Sequence, residues 1–159
     1  MISSITVDRL AELRRVLEES SDPDNPSAEE LQALLSDVQH IAVVGLSRNL
    51  EKAARRVPSY LAAKGYDVIP VNPYAGRLLG RESFESLELV PAPVDLVSVF
   101  RPSQSAGDQV EAALRRSDKP AIWLQTGIRA DAQIKTARAQ GITAVQDLCI
   151  FRAHRVLKA

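Results

Sequence analysis

Gly45-Leu46-Ser47-Arg48 follows the apolar run Ile41-Ala42-Val43-Val44. It opens a stretch, Arg48 to Arg56, in which Arg48, Lys52, Arg55 and Arg56 stand against Glu51 alone. A glycine at such a turn lets the backbone approach an anion with no Cβ in the way, and the amides of Leu46, Ser47 and Arg48 are then free to point at it. A polyanion is favoured there. The same residues also read as a plain strand-to-helix turn followed by a solvated basic face, and the segment alone leaves both readings open. The dinucleotide fingerprint G-x-G-x-x-G is absent: Ser47 and Leu50 occupy its second and third glycine positions. The end of the next apolar run offers Asn72 where a nicotinamide enzyme would present an acid for the ribose. That pattern counts against an NAD(P)-dependent oxidoreductase and leaves other nucleotides open.

Three further segments carry polar groups at the ends of apolar runs. Asn72-Pro73-Tyr74 is either a turn, with Asn72 held extended by Pro73, or a contact for an adenine or ribose. In Phe100-Arg101-Pro102, Arg101 suits bidentate pairing with a phosphate or, equally, a surface ion pair. Gln125-Thr126-Gly127 supplies an amide, a hydroxyl and a flexible backbone, which suit hydrogen bonding. Cys149 lies five residues before His154, and a thiol paired with imidazole is activated as thiolate. Five residues do not by themselves join them, and a lone Cys beside Ile150 and Phe151 reads first as a small buried hydrophobe. One Cys and two distant His give no metal-binding spacing. His40 reads as an ordinary surface residue and Trp123 as core.

The elements that must position these groups follow from periodicity. Leu10, Leu13 and Leu17 after Asp8, and Leu31, Leu34, Leu35 and Val38 after Ser27, predict two N-terminal helices. Ser27 and Glu30 have capping-box spacing. Asp22-Pro23-Asp24-Asn25-Pro26 between them reads as a linker or sharp turn. From Ile41 onward, short β-branched runs at 41–44, 68–71, 94–99, 121–124 and 143–145 alternate with helical stretches at 57–64, 106–116 and 131–140. Gly65 and Gly141 stand where left-handed C-caps would end two of the helices. This alternation predicts a doubly wound α/β domain with a five-stranded parallel sheet over residues 38–159, preceded by a helical extension over 1–37.

The 159 residues are 45% hydrophobic and 25% charged, with twenty Lys+Arg balancing twenty Asp+Glu. That composition excludes a disordered or collagen-like chain and fits one globular domain. Zero net charge argues against a broad nucleic-acid surface. No apolar run approaches the roughly 18–20 residues of a membrane span, and the first residues lack a signal-type apolar core. Cys149 is the only cysteine, so no internal disulfide forms, and a cytoplasmic location is expected.

Taken in order, the segments 41–47, 56–61, 65–73, 94–101 and 122–127 resemble the small stand-alone CoA-binding proteins. Those are similar to the CoA-binding N-terminal domain of the succinyl-CoA synthetase alpha subunit. The likeness covers about residues 38–157. It implies a Rossmann-like domain that binds coenzyme A or an acyl-CoA without ligating it, as a carrier, sensor or partner subunit. Carried over by position, Gly45, Leu46, Ser47 and Arg48 would cradle phosphate, with Arg56 in the adjoining basic stretch. Asn72, Pro73 and Tyr74 would flank the nucleotide, Phe100 and Arg101 would close the site, and Gln125 and Gly127 would lie toward the pantetheine. The larger ligases use a phosphorylated histidine in a second domain, for which this chain has no length. The family carries an Arg before the Cys and a Glu before the His, where this chain has Leu148 and Ala153.

Overall fold

The computed structural model describes residues 4–74 and 76–158. In chain order its elements are α1 (Ser4–Leu17), α2 (Ala28–Asp37), β1 (His40–Val44), α3 (Ala53–Ala63), β2 (Asp67–Val71), a hairpin of β3 (Arg77–Leu78) and β4 (Arg81–Glu82), and β5 (Leu96–Val99). There follow α4 (Ser103–Arg115), β6 (Ala121–Leu124), α5 (Asp131–Ala139), β7 (Ala144–Val145) and α6 (Ile150–Lys158). The five main strands pair in the order β2-β1-β5-β6-β7, every pair parallel. The chain thus steps outward from β1 to β2 and then crosses back to place β5 on the other side of β1. That reversal creates a switch point between the carboxyl ends of β1 and β5, where open α/β sheets receive ligands.

Alternation along the strands divides the core in two. Ile41, Val43, Leu96 and Trp123 face one buried cluster, and Ala42, Val44, Val97 and Ile122 face the other. The first is covered by Leu13, Leu31, Leu61 and Leu157 from α1, α2, α3 and α6. The second is covered by Ala106, Val110 and Ile134 from α4 and α5. Burial on both faces is why the strands are short, apolar and β-branched. Trp123 is fully buried and donates its Nε1–H to the Leu148 carbonyl at 2.8 Å, as a core tryptophan must. No helix among the described residues is long and apolar enough to cross a membrane.

The N-terminal helices share the core of the sheet, since Leu10, Leu13, Leu31 and Leu35 belong to the same cluster as Ile41 and Trp123. Ser27 caps α2 through the full capping box with Glu30. The segment between the helices is more than the linker expected from its prolines. Asp22 is buried there and accepts hydrogen bonds from the Gln146 amide at 3.0 Å and the Arg138 guanidinium at 3.1 Å. Asn25 exchanges two hydrogen bonds with the Gln146 backbone, both at 3.0 Å, and so occupies the free edge beyond β7. A short edge strand with open peptide groups invites foreign pairing, and this side chain closes it.

The β3–β4 hairpin, a single 3-10 turn at Leu87–Leu89 and α6 escape the sequence reading. The β3–β4 hairpin has only two residues per strand. Helix α6 is short, although its buried residues Ile150, Ala153, His154 and Leu157 recur at i, i+3, i+4 and i+7. Helix α3 also begins four residues before the expected Val57, so that Pro58 lies inside it.

Candidate functional site

The glycine turn after β1 is built by its own side chains. The Ser47 hydroxyl accepts the Asn49 N–H at 3.0 Å, and the Asn49 side chain accepts the Glu51 N–H at 3.0 Å, two short-range bonds typical of Ser and Asn in turns. Gly45 has φ +87°, and a Cβ there would meet the Phe100 carbonyl carbon and oxygen at 3.3 Å. Glycine is therefore required for backbone conformation and for the close approach of the β5–α4 turn. The Ser47 N–H donates to the Ala54 carbonyl at 3.0 Å, so it does not point at an anion as expected. Pro58 explains that bond: a residue at 58 would ordinarily donate to Ala54 in the helical ladder, but proline has no N–H. The carbonyl it leaves open anchors the glycine turn.

At the switch point this turn and the ends of β2 and β5 enclose an open cleft of about 570 Å³. Gly45, Ser47 and Arg48 form one wall, Asn72 and Tyr74 a second, and Phe100 and Arg101 a third. Asn49, Lys52, Ala54 and Pro102 complete it, four residues the sequence reading did not assign to the site. Lys52 had a signal as part of the basic stretch, and Pro102 stood in the strand-end segment Phe100-Arg101-Pro102. Three cationic side chains, Arg48, Lys52 and Arg101, line the cleft, and no Asp or Glu among the described residues does. Arg48 donates to the Tyr74 carbonyl at 2.6 Å and ties the first wall to the second. Asn72 holds the same two loops, donating to the Leu46 carbonyl at 2.9 Å and accepting the Tyr74 N–H at 2.8 Å. Both ends of its amide are thereby occupied.

Two helices begin at this cleft without the usual terminal side chains. Helix α3 starts after Lys52 and α4 after Pro102. Neither has a side-chain cap or an acidic residue in its first turn, in contrast to the boxed and acidic start of α2. Their open amides and dipoles add positive potential to the three cations.

The remaining expected site residues fall elsewhere. The Leu46 side chain is fully buried beneath the turn, and its carbonyl accepts the Asn72 amide. Pro73 lines a recess of about 220 Å³ behind Arg101, shared with Glu85 and Asp108. Arg56 lines a separate cavity of about 690 Å³ together with Cys149 and Thr126. Gln125 is buried and spent on structure, donating to the Ser98 hydroxyl at 2.8 Å and accepting the Ile150 N–H at 3.1 Å. Gly127, at φ +81°, donates its N–H to the Asp147 carboxylate at 2.7 Å. The same carboxylate accepts the Ser21 N–H at 2.7 Å and its hydroxyl at 2.6 Å, so the N-terminal segment braces the β6 strand end. Burial raises the affinity of Asp147 for a proton, but the Ser21 hydroxyl and the Gly127 and Ser21 amides outweigh it. The group is left below the ordinary aspartate value.

Cys149 lines the cavity that holds Arg56, while His154 is packed between α3 and α6. His154 is buried, with Nδ1 2.7 Å from the Tyr60 hydroxyl and the Tyr66 ring edge-on at 5.5 Å. His40 departs from the expected plain surface residue: its Nδ1 lies 2.7 Å from the Asp67 carboxylate, at the end of the sheet away from the cleft.

A family model described as "CoA binding domain" matches residues 39–155. The chain belongs to that family. Relatives of this CoA-binding domain are small proteins of similar length. The uncharacterized YneT of Bacillus subtilis is 36% identical over 134 residues, covering 84% of this chain and 98% of its own. A solved structure of a hypothetical protein from Pyrococcus horikoshii is 30% identical with a TM-score of 0.81, covering 89% of this chain and 99% of its own. A Thermus thermophilus structure is 39% identical with a TM-score of 0.75, covering 81% and 97%. At the two positions where this CoA-binding domain departs from the resemblance, Leu148 and Ala153 are both buried in the core. Apolar packing has taken the place of the polar residues the resemblance implies there.

Proposed function

We propose that this CoA-binding domain holds coenzyme A or an acyl-CoA with its phosphates in the 570 Å³ cleft, and that it binds without ligating. The observation that carries this reading is the convergence of Arg48, Lys52, Arg101 and two uncapped helix starts on a cleft lined by no carboxylate among the described residues. Such a site attracts a polyanion and fixes it by charge-assisted hydrogen bonds. Tyr74, 82% exposed at the lip, offers a ring face to a base. The occupied amide of Asn72 disfavours a nicotinamide nucleotide, whose ribose needs an acceptor there. We assign the protein a carrier, sensor or partner-subunit role. Thermal unfolding with added nucleotides tests this. A ligand bound only by the native state stabilises it by about 2.7 kcal/mol at one hundred times its Kd. CoA is expected to raise Tm, and a rise with NAD or NADP alone would overturn the proposal.

A further inference from the structure

The cavity of about 690 Å³ that contains Arg56 lies outside the phosphate cleft and is larger. Its walls come from the first turns of α3 through Ala53 and Val57, from the β6 strand end through Thr126, and from the start of α6 through Cys149 and Phe151. The N-terminal segment closes one side, where Glu19 pairs with Arg152. Ala53, Val57, Cys149 and Phe151 give the lining its apolar part and Glu19, Arg56, Thr126 and Arg152 its polar part, and the size is that of a small-molecule site. The two sites flank the start of α3: Lys52 and Ala54 line the phosphate cleft while Ala53, between them in sequence, lines this cavity.

We infer that this second cavity receives the acyl group of a CoA thioester, so that aliphatic acyl-CoAs are bound in preference to free CoA. The inference rests on the reading of the cleft as the phosphate site. A ligand anchored there by its phosphates has one apolar end, and the cavity across α3 is an apolar recess whose lining adjoins that of the cleft in sequence at Lys52-Ala53-Ala54. Ala53, Val57 and Phe151 supply the surface against which methylene groups leave water, and Arg56 and the Glu19–Arg152 pair form a polar rim. Each methylene fully buried in such a site raises affinity about fourfold.

Isothermal titration with CoA, acetyl-CoA, butyryl-CoA and hexanoyl-CoA tests it. Affinity is expected to rise two- to fourfold per added methylene. In Thr126→Phe, which fills the cavity from an exposed position, the rise is expected to flatten to less than twofold over the whole series. A second readout needs no variant: Cys149 is the sole thiol of the chain, and hexanoyl-CoA is expected to slow its alkylation several-fold more than acetyl-CoA does. If CoA binds while affinity stays level or falls with chain length, the acyl site is overturned and the phosphate cleft stands. If neither CoA nor any thioester binds, the phosphate reading itself has failed. Equal protection of Cys149 by both thioesters also overturns the acyl site.

Discussion

Gly45→Ala separates the two demands that the structure places on this glycine. The backbone at 45 has φ +87°, and a non-glycine residue in the left-handed region costs roughly 1–2 kcal/mol. The new methyl would also press on the carbonyl carbon and oxygen of Phe100 at 3.3 Å, and those are backbone atoms of a strand end that have little room to yield. Forced contacts of this kind add about 1–3 kcal/mol. Alanine stiffens the unfolded chain and returns about 0.4–1 kcal/mol. The net loss is then about 1–5 kcal/mol, or roughly 2–20 °C in Tm for a domain of this size. Gly65→Ala is the control, because φ there is +100° but nothing lies within 4 Å of the added Cβ. It bears the conformational cost alone, about 1 kcal/mol net. Urea melts of both variants beside wild type measure the difference. Because Phe100 and Arg101 form one wall of the cleft, Gly45→Ala should also weaken CoA binding while Gly65→Ala leaves it unchanged. Equal stability losses in the two variants would refute the close-approach reasoning.

Arg101→Ala should weaken CoA binding by about 1.5–3 kcal/mol, the value of a hydrogen bond to a charged group, with little change in Tm; unaltered affinity in a calorimetric titration removes Arg101 from the site. Asp22→Ala removes a buried acceptor shared by the Gln146 amide, the Arg138 guanidinium and the Asp24 N–H and should cost about 1.5–3 kcal/mol of stability, read by urea unfolding, where a loss below about 0.5 kcal/mol would show the N-terminal knot to be incidental. Burial pushes Asp22 up, but the Asp24 amide, Gln146 and Arg138 together hold it below the ordinary aspartate value, as the corresponding partners do for Asp147. Both groups therefore bind a proton less readily folded than unfolded. Their contribution is complete above about pH 4–5 and is lost as pH falls through their lower folded values. Wild type should lose stability more steeply than Asp147→Asn below pH 4, and parallel acid-unfolding curves would contradict this.

Much of the sheet was legible because buried parallel strands are written as short β-branched runs, and the family resemblance rests on the loops between them. Gly45, Arg48, Tyr74 and Arg101 were found at the cleft because a doubly wound sheet dictates that ligands meet strand ends. What sequence could not show was how loop residues spend their hydrogen bonds. Gln125 and Asn72 have polar amides at strand ends, yet both are committed to neighbouring chain segments. The helical stretch expected from Val57 begins in fact at Ala53, which puts Pro58 inside the helix. The Ser47 amide, from the preceding turn, takes over the Ala54 carbonyl that the proline leaves open. The burial of Asp22 likewise depends on Arg138 and Gln146, over a hundred residues away in the chain.

The central claim is that the cleft at the β1–β5 switch point recognises coenzyme A, and titration calorimetry of the protein with CoA, NAD and NADP in one buffer tests it most directly. Saturable binding of CoA at one site per chain, tighter than either nicotinamide nucleotide and weakened by Arg101→Ala, is the predicted result. Tighter binding of NAD or NADP than of CoA would contradict it.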